Sequence, residues 1–340
     1  MGKKPTILDV AEKANVSVAT VSRVINNQGG VRKKTEDDIL RAIHELNYVR
    51  SQVARSMVRK ETKTIGVIIP DICNPFFPEV IAGIEKKAID KNYFTMLSSS
   101  GESLVKEKEI MKHFIERGVD GVVITTADEK GKHLQPLMDA NIPVVAVDRM
   151  IEEYDVDTVL TGNQEGSYEA VKHLIHLGHK KIAIIRGPQE TTPGNERFKG
   201  YKKALEEYGL PLKEEWIGEG NFMENSGFSI IHHFHSLKDR PTAVFSCNNL
   251  MSIGALKAMR QLNWEVSRDV TFLGFDDVEI ATFMKPALTM VTRPKRKIGE
   301  LAFQLLYERM NAAESDHIPK REYILTPELV IRDASNQVYK

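Results

Sequence analysis

Five short clusters of polar and aromatic residues along the 340-residue chain could together bind a small molecule. They are DICNPFF (71–77), Asp148 with Arg149, GNERF (194–198) with Arg197, CNN (247–249) and FDD (275–277). Phe76 and Phe77 can cover the apolar face of a ring, while aspartate, asparagine and arginine supply the donors and acceptors that hydroxyl groups need. Each cluster alone could be an ordinary strand-end turn or helix cap, but the five together indicate a site for a sugar-like ligand.

A different chemistry is indicated near the N-terminus by AEKANVSVATVSRVIN (11–26). The pattern predicts a helix from Ile7 to Ala14, a tight turn, and a second helix from Ser17 to about Ile25. One side of the second helix is small and polar and carries one arginine: Val18, Ala19, Ser22, Arg23 and Asn26. This stripe suits the base edges in a DNA groove, whereas the alternative is a small helical bundle with a solvated face.

Capping residues predict where three N-terminal helices begin. Thr6 and Asp9 have the spacing of a capping box, Asn15 can take the left-handed conformation of the turn, and Ser17 is a good N-cap. Thr35 is predicted as the N-cap of a third helix. The next segment, SQVARSMVRK (51–60), is either a flexible basic linker or a helix that forms on DNA and inserts an apolar wedge into the minor groove.

The charge of the chain is divided unevenly. Residues 1–60 hold 12 Lys and Arg against 6 Asp and Glu, whereas the remaining residues hold 35 against 41. A basic end beside an acidic body is typical of a protein that contacts a polyanion. Two cysteines give no disulfide framework, and neither a signal peptide nor a long apolar stretch is evident, so a cytoplasmic protein without a membrane segment is expected.

From Thr64 onward, short apolar runs alternate with helical stretches. Strands are predicted at 64–70, 94–100, 120–125, 142–148 and 156–161, and again at 181–187, 241–247 and 269–277. The alternation is typical of two consecutive doubly wound α/β lobes with parallel sheets. Because ligands bind beyond the carboxyl ends of parallel strands, the five clusters should meet in a cleft between the lobes.

The sequence argues against an enzyme and against a metal site. It contains neither H-E-x-x-H nor G-x-S-x-G, and GPQETTPGN (187–195) lacks the glycine spacing and the lysine of a phosphate-binding loop. The histidines at 173–179 and 232–235 are not spaced as a ligand set on one helix face. We therefore expect no catalytic residues, no metal ligands and no cofactor other than a small-molecule effector.

Seven segments in order resemble the LacI/GalR family of bacterial transcription regulators. They are TILDVAEKANVSVATVSRVIN, SQVARSM, VIIPDICNPFF, NERFKGYKKALEEYGL, AVFSCNNLMSIGALKAM, FLGFDDVEIATFMKPALTMV and LTPELVIRDAS. The resemblance implies a helix-turn-helix headpiece (1–50), a hinge helix (51–62) and a core like periplasmic sugar-binding proteins (63–340). It places the N-lobe at about 63–161 and 293–322, and the C-lobe at about 162–292 and 323–340.

The resemblance also implies roles for individual residues. Val18, Ala19 and Arg23 correspond to base-reading positions, and Ser17, Thr20 and Ser22 to phosphate contacts. Met57 stands where the family usually has a wedge-forming leucine. The expected DNA-binding set is completed by Thr6, Asn26, Val53, Ala54 and Arg55.

Effector-binding positions of the family, together with Asp71 of the first polar cluster, give the expected effector-binding set. It consists of Asp71, Phe76, Phe77, Asp148, Arg149, Arg197, Phe222, Asn248, Asn249, Asp276 and Arg293. Asn249 departs from the aspartate common at its position in the family, and Arg293 departs from a more usual neutral residue. Three arginines against two aspartates hint at an effector with a carboxylate or phosphate, unless Asp71 or Asp277 neutralises one arginine.

These observations predict a ligand-responsive repressor of a sugar or sugar-acid operon, acting as a homodimer on a palindromic operator in double-stranded DNA. A dimer is favoured over a tetramer because no apolar heptad tail follows PELVIRDAS. One alternative is the same regulator with a purine or protein corepressor. Another is a cytoplasmic solute-binding α/β protein.

Overall fold

The computed structural model describes residues 5–26, 28–48, 61–313 and 318–333, which belong to two compact units. The first unit, here called the headpiece, lies within Met1–Thr62, and the second, the core, lies within Lys63–Lys340. The predicted minor-groove residues Val53, Ala54, Arg55 and Met57 lie outside the described residues. Their roles therefore stay predictions.

The headpiece consists of three helices around a small apolar core. The helices are α1 (Ile7–Lys13), α2 (Val18–Ile25) and α3 (Lys33–Glu45). Val10, Val21 and Ile39, one from each helix, are fully buried in a single cluster. Helices α1 and α2 therefore form the helix-turn-helix that the sequence predicts, with α3 closing the core beneath them.

The first two helices begin as their capping residues predict. Thr6 Oγ1 accepts a hydrogen bond from Asp9 N at 3.4 Å, and Asp9 Oδ2 accepts one from Thr6 N at 2.6 Å, which completes a capping box. Asn15 has φ 52° in the turn. Ser17 Oγ accepts a hydrogen bond from Thr20 N at 3.2 Å and so caps α2.

The predicted start of the third helix is wrong by three residues. Helix α3 begins at Lys33, its N-cap Arg32 makes no side-chain capping bond, and Thr35 lies inside the first turn. The acidic Glu36 in that turn provides the reason, because a negative charge stabilises the positive end of the helix dipole without a cap.

The first lobe of the core is built on a six-stranded parallel sheet. Its strands are β1 (Thr64–Ile69), β2 (Phe94–Ser99), β3 (Gly121–Ile124), β4 (Val144–Val147), β5 (Asp157–Thr161) and β11 (Glu322–Leu325), in the order β11-β5-β4-β3-β1-β2. Its helices are α4 (Phe76–Asp90), α5 (Leu104–Arg117), α6 (Gln135–Asp139) and α12 (Lys295–Met310), with a 3₁₀ turn at Lys132–Leu134. Separate apolar clusters fill the two sides of the sheet, one with α4 and α12 and the other with α5 and α6.

The second lobe repeats this arrangement. Its strands are β6 (Ile182–Arg186), β7 (Ile217–Glu219), β8 (Ala243–Ser246), β9 (Thr271–Phe275), β10 (Thr289–Thr292) and β12 (Glu328–Val330), in the order β12-β10-β9-β8-β6-β7. Its helices are α7 (Asn163–His176), α8 (Thr192–Glu207), α9 (Glu224–Ser236), α10 (Asn249–Gln261) and α11 (Ile280–Phe283), with a 3₁₀ turn at Glu214–Trp216. Strand β12 is antiparallel to β10 and the other pairs are parallel. The prediction of two doubly wound lobes is confirmed.

The chain crosses between the lobes three times, after β5, after β10 and after β11. The late segment between the second and third crossings supplies α12 and β11 to the first lobe. Helix α12 packs against α4 with very close backbones: a Cβ added at Gly83 would lie 2.2 Å from the Arg296 carbonyl oxygen, and one at Gly299 would lie 1.9 Å from that of Val80. Glycine at both positions is what lets the late helix seat so closely. None of the helices in the described parts of the chain has the length and apolar character needed to cross a bilayer.

A buried carboxylate fastens the late segment to the first lobe. Asp157, at the start of β5, is fully buried and accepts hydrogen bonds from Arg309 Nε at 2.7 Å and from Arg321 N at 2.8 Å. Burial alone would raise the pKa of Asp157, but the hydrogen bonds from the two arginines outweigh it and lower the pKa to about 2. The ionised form is therefore the one that stabilises the fold.

We expect Asp157→Asn to reduce the free energy of unfolding at pH 7 by about 2 kcal/mol, the value of a pKa shift from 3.8 to about 2. Because the folded-state pKa is lowered, this contribution is complete above the unfolded pKa of 3.8 and is lost as the pH falls towards 2. Urea unfolding at pH 7 and pH 3 should show the gap between wild type and variant narrowing in acid. Asp155→Asn, at an exposed neighbouring position, is the control and should leave stability unchanged.

Candidate functional site

Two aspartates occupy equivalent positions in the two lobes. Asp148 follows β4 directly and Asp276 follows β9 directly, and these strands are third in their respective sheets. Both residues have left-handed backbones, with φ of 68° and 71°. Non-glycine residues rarely adopt this conformation, and the strain is typical of functional sites.

A second equivalent pair has the same peculiarity. Glu102 and Phe222 each lie three residues beyond the ends of the edge strands β2 and β7, with φ of 57° and 65°. The four left-handed residues line one cleft between the lobes. The duplicated architecture thus brings two matching sets of strained loop residues to the same place.

Arg293 joins the lobes through the two aspartates. Its Nε donates to Asp276 Oδ1 at 2.5 Å and its Nη1 donates to Asp148 Oδ1. The guanidinium carbon lies 3.6 Å from the centroid of the Phe76 ring, and the side chain is only 2% exposed. A buried cation therefore holds one carboxylate from each lobe and stacks on an aromatic face.

Arg197 is held mainly by the second lobe. Its Nε donates to Asn163 Oδ1 at 2.8 Å and its Nη1 donates to the Cys247 carbonyl at 2.5 Å. The Asp276 carboxylate lies 3.6 Å away, and the guanidinium lies 3.9 Å from the Phe275 ring centroid. Burial lowers the pKa of Arg197 despite the nearby acids.

Arg149 has a carboxylate partner that sequence reasoning missed. Its two terminal nitrogens donate to both oxygens of Glu102, at 2.8 and 2.6 Å, and Nη1 also donates to the Thr126 carbonyl at 2.8 Å. Neither of the neutralising residues suggested by the sequence has this role. Asp277 instead pairs with Arg332 at 2.6 Å, and Asp71 accepts a hydrogen bond from the backbone N of Cys73 at 2.9 Å.

The charges of the cleft are therefore closely balanced. The arginines at 149, 197 and 293 face the acids at 102, 148 and 276, and Asp71 adds a fourth carboxylate to the lining. Burial would raise the pKa of Asp148, but Arg293, Arg197 and Arg149 together hold that pKa below its ordinary value. An ionised Asp148 is part of the stable arrangement.

The two asparagines at the start of α10 have different tasks. Asn248 caps the helix by accepting from Met251 N at 2.8 Å, and its amide donates to the Phe222 carbonyl at 2.9 Å. The Asn249 amide donates across the lobes to Asn74 Oδ1 at 2.8 Å. Asn248 lines the cleft, whereas Asn249, also expected to contact an effector, instead links the lobes beside it.

A second polar link closes the opposite side of the lobe boundary. Glu129 of the first lobe accepts hydrogen bonds from Thr192 N at 2.6 Å and from Thr192 Oγ1, at the first turn of α8. Burial raises the pKa of Glu129 although these bonds act against the rise. Sequence reasoning missed this link, because neither residue lies at the end of a predicted strand.

The cleft has a cavity volume of about 40 Å³, smaller than the usual small-molecule site, so the lobes must separate to admit a ligand. Ten of the eleven residues predicted to bind an effector line it: Asp71, Phe76, Phe77, Asp148, Arg149, Arg197, Phe222, Asn248, Asp276 and Arg293. Three phenylalanine rings and several fixed donors and acceptors suit a compact ligand with one flat or apolar face. Within the described ranges, no group of three or more His, Cys, Asp or Glu residues is arranged to hold a metal ion.

The headpiece presents part of the predicted stripe to solvent. Val18, Ala19 and Arg23 are exposed on α2. Asn26 is partly committed within the helix end, because its amide donates to the Ser22 carbonyl at 2.8 Å. The three exposed side chains are therefore free to contact DNA, whereas Asn26 stabilises the C-terminal end of α2.

The hydroxyls beside the stripe are linked to each other. Ser17 Oγ and Thr20 Oγ1 lie 2.9 Å apart, so that one donates to the other. The remaining hydroxyl hydrogen is available to an acceptor such as a phosphate oxygen. Thr6, by contrast, donates its hydroxyl hydrogen to Asp9 Oδ2 at 2.7 Å, as part of the α1 cap.

Comparison with known proteins covers both units. The family model described as "Bacterial regulatory proteins, lacI family" matches residues 6–51, and "Periplasmic binding proteins and sugar binding domain of LacI family" matches residues 62–325. The HTH-type transcriptional repressor PurR of Vibrio vulnificus (strain CMCP6) is 37% identical over 335 residues, covering 98% of this chain and 99% of the relative.

Solved structures of LacI family regulators also resemble this chain. The lac repressor dimer bound to operator and the anti-inducer ONPF superposes with a TM-score of 0.85 and 26% identity, covering 98% of this chain and 99% of that one. A LacI family transcriptional regulator from Enterococcus faecium with bound ribose gives a TM-score of 0.73 and 27% identity, covering 82% of this chain and 100% of that one.

We expect Arg293→Gln to lower the free energy of unfolding by roughly 3 to 5 kcal/mol, because it leaves two buried carboxylates without their shared cation. The control is Arg296→Gln, at the second residue of α12, whose side chain is 74% exposed. Urea denaturation at pH 7 measures both variants. Equal losses in the two would contradict the bridging role of Arg293.

Proposed function

The chain belongs to the LacI family of bacterial regulatory proteins, and from that premise we propose that it is a DNA-binding repressor whose operator affinity changes when a small molecule occupies the cleft. The observation that carries the proposal is the joint presence of both functional surfaces. The helix-turn-helix exposes Val18, Ala19 and Arg23, and the core holds a cleft lined by Phe76 and Asp276.

The exposed face of α2 carries residues suited to base contacts and others suited to phosphate contacts. Arg23 has the donor geometry for a bidentate contact with guanine, worth about 1 to 3 kcal/mol of discrimination. Val18 and Ala19 suit apolar contact with thymine methyl groups. Ser17 and Thr20, whose linked pair keeps one hydroxyl hydrogen, suit a phosphate.

A dimer on a palindromic site is the assembly that this proposal requires. The lac repressor structure, at a TM-score of 0.85, is described as a dimer bound to operator. A two-fold symmetric protein places two recognition helices on half-sites with the same symmetry. The expected target is therefore an inverted repeat in double-stranded DNA.

The effector has two candidate classes. The sequence favours a sugar or sugar acid, and the ribose-bound Enterococcus faecium regulator is consistent with that class. Several curated relatives, 34 to 37% identical over nearly the whole chain, carry the name PurR. They support the purine alternative better than the carbohydrate reading, and a purine ring also suits the phenylalanines of the cleft.

Selection of binding sites from random duplex DNA with the purified full-length chain tests the regulator itself. We expect an enriched inverted repeat. If no sequence were enriched even at low salt, the proposal would be rejected, because non-specific affinity alone does not select a sequence.

Two headpiece variants test the assignment of base and phosphate contacts. Arg23→Ala should relax preference at one position of each half-site, with a loss of about 1 to 3 kcal/mol on the selected operator and little loss on other sequences. Lys33→Ala, at a side chain 77% exposed, should instead weaken binding to all sequences alike and flatten the salt dependence. Binding isotherms at several salt concentrations measure both effects. A uniform loss in Arg23→Ala would show that its base-reading role is wrong.

A further inference from the structure

Two buried guanidinium groups of the cleft each keep one unused donor. Among the residues that the structure describes, Arg149 Nε and Arg197 Nη2 have no hydrogen-bond partner. The side chains are only 4% and 2% exposed. A buried donor without an acceptor is costly, and the cost is greater when the group is charged. Both arginines line the cleft, so a ligand with a hydrogen-bond acceptor in the cleft can pair with these donors and remove the cost.

The partner of Arg149 is more exposed than the two acids that hold Arg293. Glu102 has a side chain 34% exposed, whereas Asp148 and Asp276 have side chains 9% and 3% exposed. Glu102 also stands on a left-handed loop residue, with φ of 57°. A nearly buried cation is thus paired with an acid that reaches in from the mouth of the cleft.

The geometry of this pair is the one that a ligand carboxylate adopts on arginine. Both terminal nitrogens of Arg149 meet both oxygens of Glu102, at 2.8 and 2.6 Å. Parallel paired hydrogen bonds of this kind are the preferred mode of recognition of carboxylate and phosphate. The Glu102 side chain therefore occupies the place of an oxyanion.

We propose that the effector carries a carboxylate or phosphate group, which binds Arg149 in place of Glu102 and also reaches the free donor of Arg197. The inference rests on the proposed function, because it takes the cleft as the effector site. Glu102 then acts as an internal counter-ion that the effector must displace.

The charge balance explains why displacement is needed. With Glu102 in place, three arginines share the cleft with four acids, Asp71 included, so an added anion would increase an existing excess of negative charge. Arg293 offers no alternative anchor, because both Asp148 and Asp276 already hold it. Movement of Glu102 towards solvent, where it is already one-third exposed, removes one negative charge while the anion enters.

The remainder of the effector meets the phenylalanines and Asn248. An oxyanion on either a sugar or a purine satisfies the arginines, so a sugar acid, a sugar phosphate and a purine nucleotide share the required chemistry. Matched charged and uncharged compounds distinguish these sources.

Thermal unfolding of the full-length protein with matched pairs is the first experiment. The pairs are galacturonate and galactose, glucose 6-phosphate and glucose, and inosine 5′-monophosphate and inosine. We expect the charged member of one pair to raise the Tm more than its neutral partner, and that pair names the source. The proposal is overturned if no charged compound exceeds its neutral partner.

Glu102→Gln provides a second test that does not depend on the choice of effector. Without the internal carboxylate, inorganic phosphate should raise the Tm of Glu102→Gln more than that of wild type. The gain should vanish in the double variant Glu102→Gln/Arg149→Gln. The matched control is Glu109→Gln, at an exposed position on α5, which should respond as wild type does. An equal phosphate response in Glu102→Gln and wild type would also overturn the proposal.

Selection of DNA sites with the same preparation separates the two levels of inference. An enriched operator together with equal shifts from charged and neutral compounds would leave the repressor function intact and reject the anionic effector. An unenriched pool would reject the repressor function whichever compound bound.

Discussion

A cation without water must be surrounded by its counter-charges, and this constraint organises the core. Arg293 is almost fully buried, and its two carboxylate partners belong to different lobes. Neither lobe alone could hold the guanidinium, since each supplies a single acid. The charge of Arg293 is therefore neutralised only when the two lobes are closed on each other. The Phe76 ring also stacks against the guanidinium.

The symmetry of the two sheets makes this event possible. Asp148 and Asp276 follow equivalent strands, and Glu102 and Phe222 lie in the loops after equivalent edge strands. All four residues have left-handed backbones. Such residues cost of order 1 to 3 kcal/mol each, so they persist only where well-packed surroundings impose them. The apolar clusters within each lobe provide that packing, which lets the boundary between the lobes be polar and strained.

Periodicity and capping chemistry were enough to predict most of the fold. All eight predicted strands are present, because each is a short run bounded by turn residues, and all except the edge strand β2 are largely buried. Strands β7, β10, β11 and β12 were not predicted. Three of them, β7, β11 and β12, are the outer strands of their sheets, where polar residues interrupt the apolar pattern. Helix α12 was also missed, because charged residues interrupt its apolar face.

Site residues that lie near the ends of strands could be predicted from the sequence, whereas contacts that form only between the closed lobes could not. Asp148, Arg197 and Asp276 were predicted because parallel strands direct their carboxyl ends to one edge. Glu102 and the Glu129–Thr192 link were missed, since both arise from side chains that meet across loops. The hint of an anionic effector was drawn from counting charges without Glu102, and the structure replaces that count with unused donors on named arginines.

The threefold crossing of the chain has a consequence for synthesis on the ribosome. Strands β6 to β9 of the second lobe are contiguous in the sequence, whereas the first lobe lacks α12 and β11 until almost the whole chain has been made. The headpiece precedes the core in the sequence, and its own apolar cluster allows it to form early. A nascent or truncated chain can therefore carry a folded helix-turn-helix before the first lobe of the core is complete.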